Sequence, residues 1–433
     1  MNRFVLSFEL IDSPLLIVAV VIAAVGVLAI LLWPPRRLMG TLLIAVTVGL
    51  LTYIVVHALE GRGVFEGALP VHAAMWAAGG MAAAAVGIVG VCLGPWGRRI
   101  VGVVTVLAAL FAAALGVNAS YGVTHNVAAI LGVQALDPAT LPPRATAVDD
   151  PATLYRTWTP PVGMPAKGSV SALTGSTKIP TGQYSARDAS LYLPPAAQVP
   201  NPPALPLLVF MMGQPGSPDP TALAKALDAF AAEHKGLAPI AIVVDQLTAP
   251  DRDPACVDSG KYGAVATYIN QLVPQWAEQN LNIVTDHRYW TIGGFSNGGS
   301  CAAVYGAKYP GTWGNLLDVM GNEFPGSEHV ERTVAEVYGG DAGAFQSNKP
   351  SVIMAAAPAG SYAGHTAVFT WGSLDTTYGP GQLANSQAAQ AAGFSVLTHI
   401  VEGAGHTGEA LDGSLAYAIP ALAPVLGLAA PAS

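Results

Sequence analysis

Four long apolar stretches in the first third of the chain restrict its fold more than any other feature. They cover residues 14–33, 38–59, about 71–94 and about 100–121, and no Asp, Glu, Lys or Arg falls inside them. Each approaches the ~20 residues that span a bilayer as a helix, and none shows the polar face of a soluble bundle. Residues 1–133 are therefore predicted to form an all-α, four-helix transmembrane region. Its first helix is too long for a cleaved leader.

The arginines in the short connecting loops predict the orientation of this region. Arg36 and Arg37 separate the first two stretches, Arg98 and Arg99 separate the last two, and the loop of residues 60–66 holds one arginine. Because positive loops favour the cytoplasm, we expect a multi-pass cell-membrane protein whose chain beyond the fourth helix is extracytoplasmic. The helices contain no buried carboxylate or lysine that would indicate an ion pathway, which favours an anchor over a transporter.

A change of composition marks the next boundary. Residues 134–166 are rich in Pro, Ala, Thr and Asp without a stable period, which is typical of a linker. Residues 168–179 and 186–193 then read as opening strands, and strand and helix patterns alternate to about residue 427. Residues 167–433 are therefore predicted to form one α/β domain, a mainly parallel sheet with helices on both faces.

The segment from Gly294 to Gly298 has the pattern G-x-S-x-G. It follows a strand-like stretch and precedes an Ala-rich helical pattern, which is the context of a nucleophile elbow. Such a turn presents a serine to a histidine and places it at a helix N-terminus, where negative charge is favoured. Ser296 is therefore the candidate nucleophile.

An acid candidate follows a later strand. Residues 366–372 read as a buried strand, and Asp375 lies just beyond its carboxyl end, where open α/β sheets place functional groups. Glu323 follows the earlier predicted strand of residues 316–320 and stays open as the alternative acid. Asp318 lies within that strand and is given a structural role.

The base candidate is His406, in the glycine-rich loop after the predicted last strand, residues 394–401. The order Ser, acid, His is that of an α/β-hydrolase. Four other histidines lie in or beside the apolar stretches, inside a strand or before one, and packing roles are favoured for them: His57, His72, His365 and His399.

Acyl transfer also needs N–H donors for the oxyanion, one after the nucleophile and one from the loop after the third strand. Asn297 supplies the first. The apolar run of residues 205–212 breaks into a turn at Gly213, and Gln214 is the second candidate. An ordinary strand end with turn residues is the alternative interpretation of that segment.

Three segments resemble the esterase family that includes esterase D-type enzymes and the mycolyltransferases: residues 212–216, 293–302 and 372–380. The resemblance covers roughly residues 165–428 and implies an α/β-hydrolase fold and serine-ester chemistry. The sequence departs from that pattern in two places. Many relatives have His-Gly where this chain has Met212-Gly213, and mycolyltransferases typically use Glu where Asp375 stands, which favours a hydrolase.

The three cysteines and the charge balance give further expectations. Cys256 and Cys301 either form a disulfide, which an extracytoplasmic domain would preserve, or remain free buried thiols; Cys92 is expected to pack within a helix. No Cys/His spacing is typical of a metal site. Residues 134–433 hold 13 basic and 23 acidic side chains, a formal charge of −10, which argues against binding nucleic acid.

Together these patterns predict a membrane-anchored serine esterase that needs no cofactor. Because an anchor confines the site to the membrane surface, a lipid or envelope-glycolipid ester is the expected substrate. Acyl transfer to an envelope hydroxyl would use the same side chains and stays open. A third hypothesis is a non-catalytic envelope-binding protein on a hydrolase fold. The sequence predicts neither the acyl chain nor the oligomeric state.

Overall fold

The computed structural model describes residues 3–431 except 12, 33–37, 63–68, 71, 132, 134, 143–149 and 251. It divides into two compact units. The first comprises Met1–Ile130 and Gly405–Gly408, and the second comprises Leu131–Ala404 and Glu409–Ser433.

Long apolar helices dominate the first unit. Four of them, α2 to α5, are long and apolar enough to cross a membrane, so the predicted four-helix region is confirmed as part of the fold class. The helices of this part of the chain are α1 (Arg3–Leu6), α2 (Pro14–Leu31), α3 (Leu38–Glu60), α4 (Ala73–Leu93), α5 (Trp96–Tyr121) and α6 (Val127–Leu131).

Small residues allow α4 and α5 to lie close together. A Cβ atom on Gly80 would lie 2.3 Å from Ala113 Cβ, and one on Gly102 would lie 2.6 Å from the Gly87 carbonyl oxygen. Since lipid tails are as apolar as the helices, such close backbone contact is a main source of helix association in a bilayer.

Arg98 and Arg99, in the first turn of α5, bind backbone carbonyl groups at helix ends. Arg98, only 4% exposed, donates from Nη2 to the Ile30 carbonyl oxygen in the last turn of α2 at 2.8 Å. Arg99 donates from Nε to the Gly94 carbonyl oxygen at 3.0 Å. Both side chains therefore satisfy carbonyl groups that a helix terminus leaves without a partner. Arg36 and Arg37 lie outside the described residues.

Described parts of the predicted linker pack onto the second unit. The N–H of Ala139 donates to the Ala172 carbonyl oxygen at 2.8 Å, and the N–H of Ala172 donates to the Asp137 carbonyl oxygen at 2.7 Å. Further on, Leu154 is 1% exposed, and the N–H of Tyr155 donates to the Gly427 carbonyl oxygen at 3.1 Å. These contacts give the segment an ordered path despite its proline-rich composition.

An eight-stranded sheet organises the second unit, in the order β1-β2-β4-β3-β5-β6-β7-β8. β1 and β2 are antiparallel to their neighbours, whereas β3 to β8 pair in parallel. The predicted α/β fold with a mainly parallel sheet is confirmed. The strands are β1 (Ser169–Leu173), β2 (Ala189–Leu193), β3 (Leu207–Met211), β4 (Ile240–Val244), β5 (Trp290–Phe295), β6 (Asn315–Val319), β7 (Thr366–Gly372) and β8 (Ser395–Val401).

Helices connect the strands of this sheet. A π-helical turn, Tyr268–Leu272, joins α9 to α10, and α11 packs against β3, β5 and β6. The α-helices are α7 (Leu154–Thr157), α8 (Thr221–Glu233), α9 (Val265–Thr267), α10 (Val273–Asn280), α11 (Asn297–Lys308), α12 (Val330–Glu336), α13 (Ala342–Ser347), α14 (Pro350–Ala356), α15 (Gly379–Ala392) and α16 (Gly408–Leu422).

The strand order creates a crevice at one point of the sheet. β3 and β5 are neighbours in the sheet. From β3 the chain continues to β4 on the side away from β5, whereas from β5 it continues to β6 on the side away from β3. Such a reversal opens a crevice at the carboxyl ends of the two strands, where α/β proteins place their ligands. The turn at Gly213 and the residue Ser296 follow these two strand ends.

Candidate active site

Ser296 lies at the sharp turn between β5 and α11. Its backbone has φ 55° and ψ −120°, and α11 begins at the next residue. A non-glycine residue in so sparsely populated a conformation costs of order 1–3 kcal/mol and persists only where neighbours hold it. Two hydrogen bonds hold Ser296 in place. The Ser296 N–H donates to the Val319 carbonyl oxygen, and the Ser300 N–H donates to the Ser296 carbonyl oxygen.

The two glycines of the motif are required by close backbone approach. A Cβ on Gly294 would lie 2.1 Å from the Gly298 carbonyl oxygen, and one on Gly298 would lie 2.2 Å from that of Met211. Contacts this short exclude any side chain at either position. The pattern G-x-S-x-G is thus the pattern that this turn needs.

The turn after β3 passes directly beside Ser296. A Cβ on Gly213 would lie 3.2 Å from Ser296 Cβ, and Gln214, the next residue, is half-buried. Asn297, the first residue of α11, is 5% exposed. The backbones that carry both candidate oxyanion donors therefore belong to the same crevice as Ser296.

Gln246, whose role the sequence did not indicate, connects the backbone of the turn after β3 to the side chain of Asn297. Its Nε2 donates to the Met212 carbonyl oxygen at 2.6 Å and to Asn297 Oδ1 at 3.1 Å. The side chain is 3% exposed. One amide therefore ties the turn after β3 to the residue after Ser296.

An ion pair between the half-buried Arg187 and the buried Asp245 holds the far end of the same turn. Arg187 binds Asp245 through Nε at 3.1 Å and Nη2 at 2.7 Å, and it donates from Nη1 to the Gly216 carbonyl oxygen at 2.8 Å. Asp245 and Gln246 both come directly after β4. The rule that polar residues at strand carboxyl ends carry function could have found them.

The Asn297 side chain also contacts Asp253. Burial raises the pKa of the Asp253 carboxyl, whereas the Ala255 N–H and the Asn297 side chain lower it by hydrogen bonding. A disulfide between Cys256 and Cys301, with the Cα atoms 5.3 Å apart, joins this loop to α11. The loop that carries Asp253 is therefore fixed beside the nucleophile turn.

Asp375 and Glu323 lie in different environments. Asp375 follows β7, is 5% exposed, and accepts the Tyr378 N–H at Oδ1 at 3.0 Å. The Tyr378 hydroxyl in turn donates to Glu328. Glu323 is exposed to solvent, and its carbonyl oxygen accepts the Asn385 side-chain amide.

His406 lies in the loop between β8 and α16, within the short segment Gly405–Gly408 that groups with the first unit. Its approach to Ser296 stays a prediction. Several other histidines have partners of their own. His399 stacks on Tyr417 with ring centroids 4.3 Å apart, His365 bonds the Pro310 carbonyl oxygen, and His57 bonds Glu60.

Two further features bear on the site chemistry. Across the part of the chain that the structure describes, no group of three or more His, Cys, Asp or Glu side chains could hold a metal ion. Cys92 is a free thiol in α4, and it is exposed on the first unit's own surface.

A curated relative matches about half of the chain. No protein-family model matches the chain. An uncharacterised protein of Corynebacterium glutamicum is 38% identical over 210 residues, which are 47% of this chain and 49% of that protein. The chain thus spans about half the length of the curated relative it matches.

Several solved structures align with more than half of the chain at low identity. A ferulic acid esterase is 14% identical with a TM-score of 0.47, covering 60% of this chain and 98% of the other. An S-formylglutathione hydrolase from Agrobacterium tumefaciens has the same identity and TM-score, covering 60% and 95%. The fold assignment rests on the strand order and register of the sheet itself.

Proposed function

We propose that this chain is a serine hydrolase of carboxylic esters. The observation that carries the proposal is the backbone of Ser296, held at φ 55° between β5 and α11 with Gly213 beside it. A serine in this turn has its hydroxyl at a helix N-terminus and next to backbone N–H groups that can bind an oxyanion. Asp375 and His406 complete the proposed triad.

In the proposed cycle, the Ser296 oxygen bonds to the ester carbonyl carbon while His406 takes the hydroxyl proton. The carbonyl oxygen becomes an anion, which the N–H groups of Asn297 and Gln214 stabilise. When the anion collapses, the bond to the alcohol breaks and His406 protonates the leaving oxygen. Water, activated by His406, then releases the acid, while Asp375 orients the imidazole throughout.

We further infer that the substrate is a lipid or glycolipid ester and that the hydrolase unit is extracytoplasmic. The four apolar helices support this inference because they would hold the chain at a membrane surface, where local concentration favours lipid substrates. The arginine pair at the start of α5 supports the orientation. Protease added to intact protoplasts should digest the α/β unit, and protection from it would reverse the orientation.

The nucleophile assignment is tested by Ser296→Ala, with Ser361→Ala on a surface turn as the matched control. We expect the first variant to keep its melting temperature but to lose p-nitrophenyl acetate hydrolysis by about 10⁴-fold or more, as loss of a nucleophile does. A fluorophosphonate probe should label the wild type and the control alone. A Ser296→Ala protein that retains most of its rate, or a wild type that fails to label, would contradict the proposal.

A further inference from the structure

The turn after β3, residues 212–216, accepts a hydrogen bond at its far end from a side chain outside β3 and β5. Arg187 lies in the loop before β2, and its Nη1 donates to the Gly216 carbonyl oxygen at 2.8 Å. The Arg187 side chain is 17% exposed, so little of it reaches solvent. Because the donor is charged, this contact is stronger than a hydrogen bond between neutral groups.

Asp245 fixes the orientation of the Arg187 guanidinium. Nη2 donates to Asp245 Oδ1 at 2.7 Å, and both Nε and the Arg187 backbone N–H donate to Oδ2, at 3.1 Å and 2.8 Å. The backbone N–H groups of Leu247 and Thr248 also donate to this carboxylate. A planar guanidinium bound at two points has one orientation, and that orientation leaves Nη1 bonded to Gly216.

The turn is too compact for Gly216 to move alone. A Cβ on Gly216 would lie 2.3 Å from the Gly213 carbonyl oxygen, and a Cβ on Gly213 would lie 3.2 Å from Ser296 Cβ. Gln214, the candidate oxyanion donor, lies between the two glycines. The contact that Arg187 makes at Gly216 therefore acts, through Gly213, on the backbone beside the nucleophile.

We propose that Arg187 is a positioning residue, which fixes the Gln214 N–H where the oxyanion forms by holding Gly216. This role rests on the proposed hydrolase function. An oxyanion donor acts only within about 2.7–3.1 Å of the developing charge, so a turn that moves would lose its effect. Arg187 acts through the turn and takes no part in proton transfer. Its contribution belongs to the transition state more than to substrate binding.

The two ends of the turn are held by neighbouring residues. Gln246 donates to the Met212 carbonyl oxygen at the first end, and Asp245 orients Arg187, which donates to the Gly216 carbonyl oxygen at the second. Asp245 and Gln246 directly follow β4. The end of one strand thus supports the whole turn that follows the adjacent strand.

The test is Arg187→Lys in the full chain, with p-nitrophenyl acetate as substrate. Lysine keeps the positive charge beside Asp245, but one ammonium nitrogen replaces three guanidinium nitrogens, so the bonds to Asp245 and Gly216 cannot all persist. We expect kcat to fall by about tenfold or more and KM to change less than roughly threefold. Fluorophosphonate labelling of Ser296 should slow to a similar extent.

A second variant keeps the test valid if Arg187→Lys fails to fold. Arg187→Met combined with Asp245→Asn removes both charges together and leaves no unpaired buried carboxylate. The asparagine oxygen still accepts backbone N–H groups of the loop. We expect the same loss of kcat, measured well below the melting temperature of each protein. In Arg187→Ala, millimolar methylguanidinium should restore part of kcat because it can occupy the position of the missing guanidinium.

The matched control is Asn282→Leu. Asn282 is 9% exposed and also donates to backbone carbonyl oxygens, those of Pro202 and Pro203, which precede β3 instead of following it. The control should lower the melting temperature, keep its kcat and gain nothing from methylguanidinium. An equal loss of kcat in the control would show that Arg187 acts through general stability alone, and would overturn the proposal.

Two further results would contradict the role of Arg187, and they are distinguishable. If the wild type is active, Ser296→Ala abolishes that activity and the Arg187 variants keep the wild-type kcat, Arg187 does not position the turn and the proposed hydrolase stands. If the wild type neither hydrolyses esters nor labels with the fluorophosphonate, the proposed hydrolase fails, and the role of Arg187 in its reaction fails with it.

Discussion

Asp375 and Glu323 differ in burial, and the difference predicts which carboxylate serves the histidine. In Asp375→Asn the oxygen that accepts the Tyr378 N–H is retained, so folding should survive while the negative charge that stabilises an imidazolium is lost. We expect kcat to fall by about 10³–10⁴-fold. Glu323→Gln, on an exposed side chain, should change it less than threefold. Steady-state kinetics on p-nitrophenyl acetate distinguishes the two candidates. A larger loss of kcat in Glu323→Gln than in Asp375→Asn would assign the role of the acid to Glu323.

Gln246 is expected to act on the rate through the Met212 backbone and the Asn297 side chain, which it joins. Gln246→Leu removes the donors to Met212 and Asn297, so the oxyanion N–H groups should lose alignment. We expect kcat to fall about tenfold with KM little changed, because the interaction matters most in the transition state.

The control for Gln246 is Gln198→Leu, because the Gln198 amide also donates to two acceptors, the carbonyl oxygens of Lys167 and Leu193, away from the turn. It should lower stability without a comparable change in kcat. Equal loss of kcat in both variants would show that Gln246 acts through general stability alone.

At the scale of elements, the disulfide between Cys256 and Cys301 connects the loop after β4 to α11. It closes a sequence separation of 45 residues, and cross-links of this kind typically stabilise by about 2–4 kcal/mol. We expect the Cys256→Ser, Cys301→Ser double variant to unfold at correspondingly lower urea concentration. In the wild type, Cys256 and Cys301 should resist alkylation in denaturant until reductant is added. Immediate labelling of these two residues would show that the bond is absent.

The sequence predicted the strands more fully than the hydrogen bonds between loops. Apolar runs that end in glycine or polar residues indicated β3 and β5 to β7 within a few residues, because burial on both faces leaves a continuous apolar pattern. β8 was indicated as well, although none of its side chains is fully buried. The antiparallel pairing of β1 and β2 left no comparable signal. Gln246 was missed because its partners are distant in sequence, and only the folded chain brings it to Met212 and Asn297.

The nucleophile turn was predictable for a local reason. The turn at Ser296 leaves no room for a side chain at Gly294 or Gly298, two residues to either side. All the residues that the turn requires therefore lie within five consecutive positions. The choice between Asp375 and Glu323 was not local. It depends on burial, which is set by packing against α15 and the segment before α12.

At the scale of the whole molecule, the boundary between the two units predicts where the chain can be cut. Residues 137–139 pair with Ala172, and Leu154 and Tyr155 pack onto the second unit. A protein that begins at Leu136 keeps these contacts, whereas one that begins at Lys167 loses them. We therefore expect the longer protein to melt several degrees higher, because each lost buried contact costs of order 1 kcal/mol.

The same truncation tests whether the apolar helices do more than anchor the chain. If they only anchor it, the protein that begins at Leu136 should cleave p-nitrophenyl acetate at about the full-length rate, because Ser296, Asp375 and both oxyanion candidates lie in the second unit. Against a lipid ester in vesicles it should be much slower, since local concentration is lost. The segment Gly405–Gly408, which carries His406, groups with the first unit. A truncated protein that stays folded yet loses the small-ester activity would therefore show that the first unit is needed to position the proposed base.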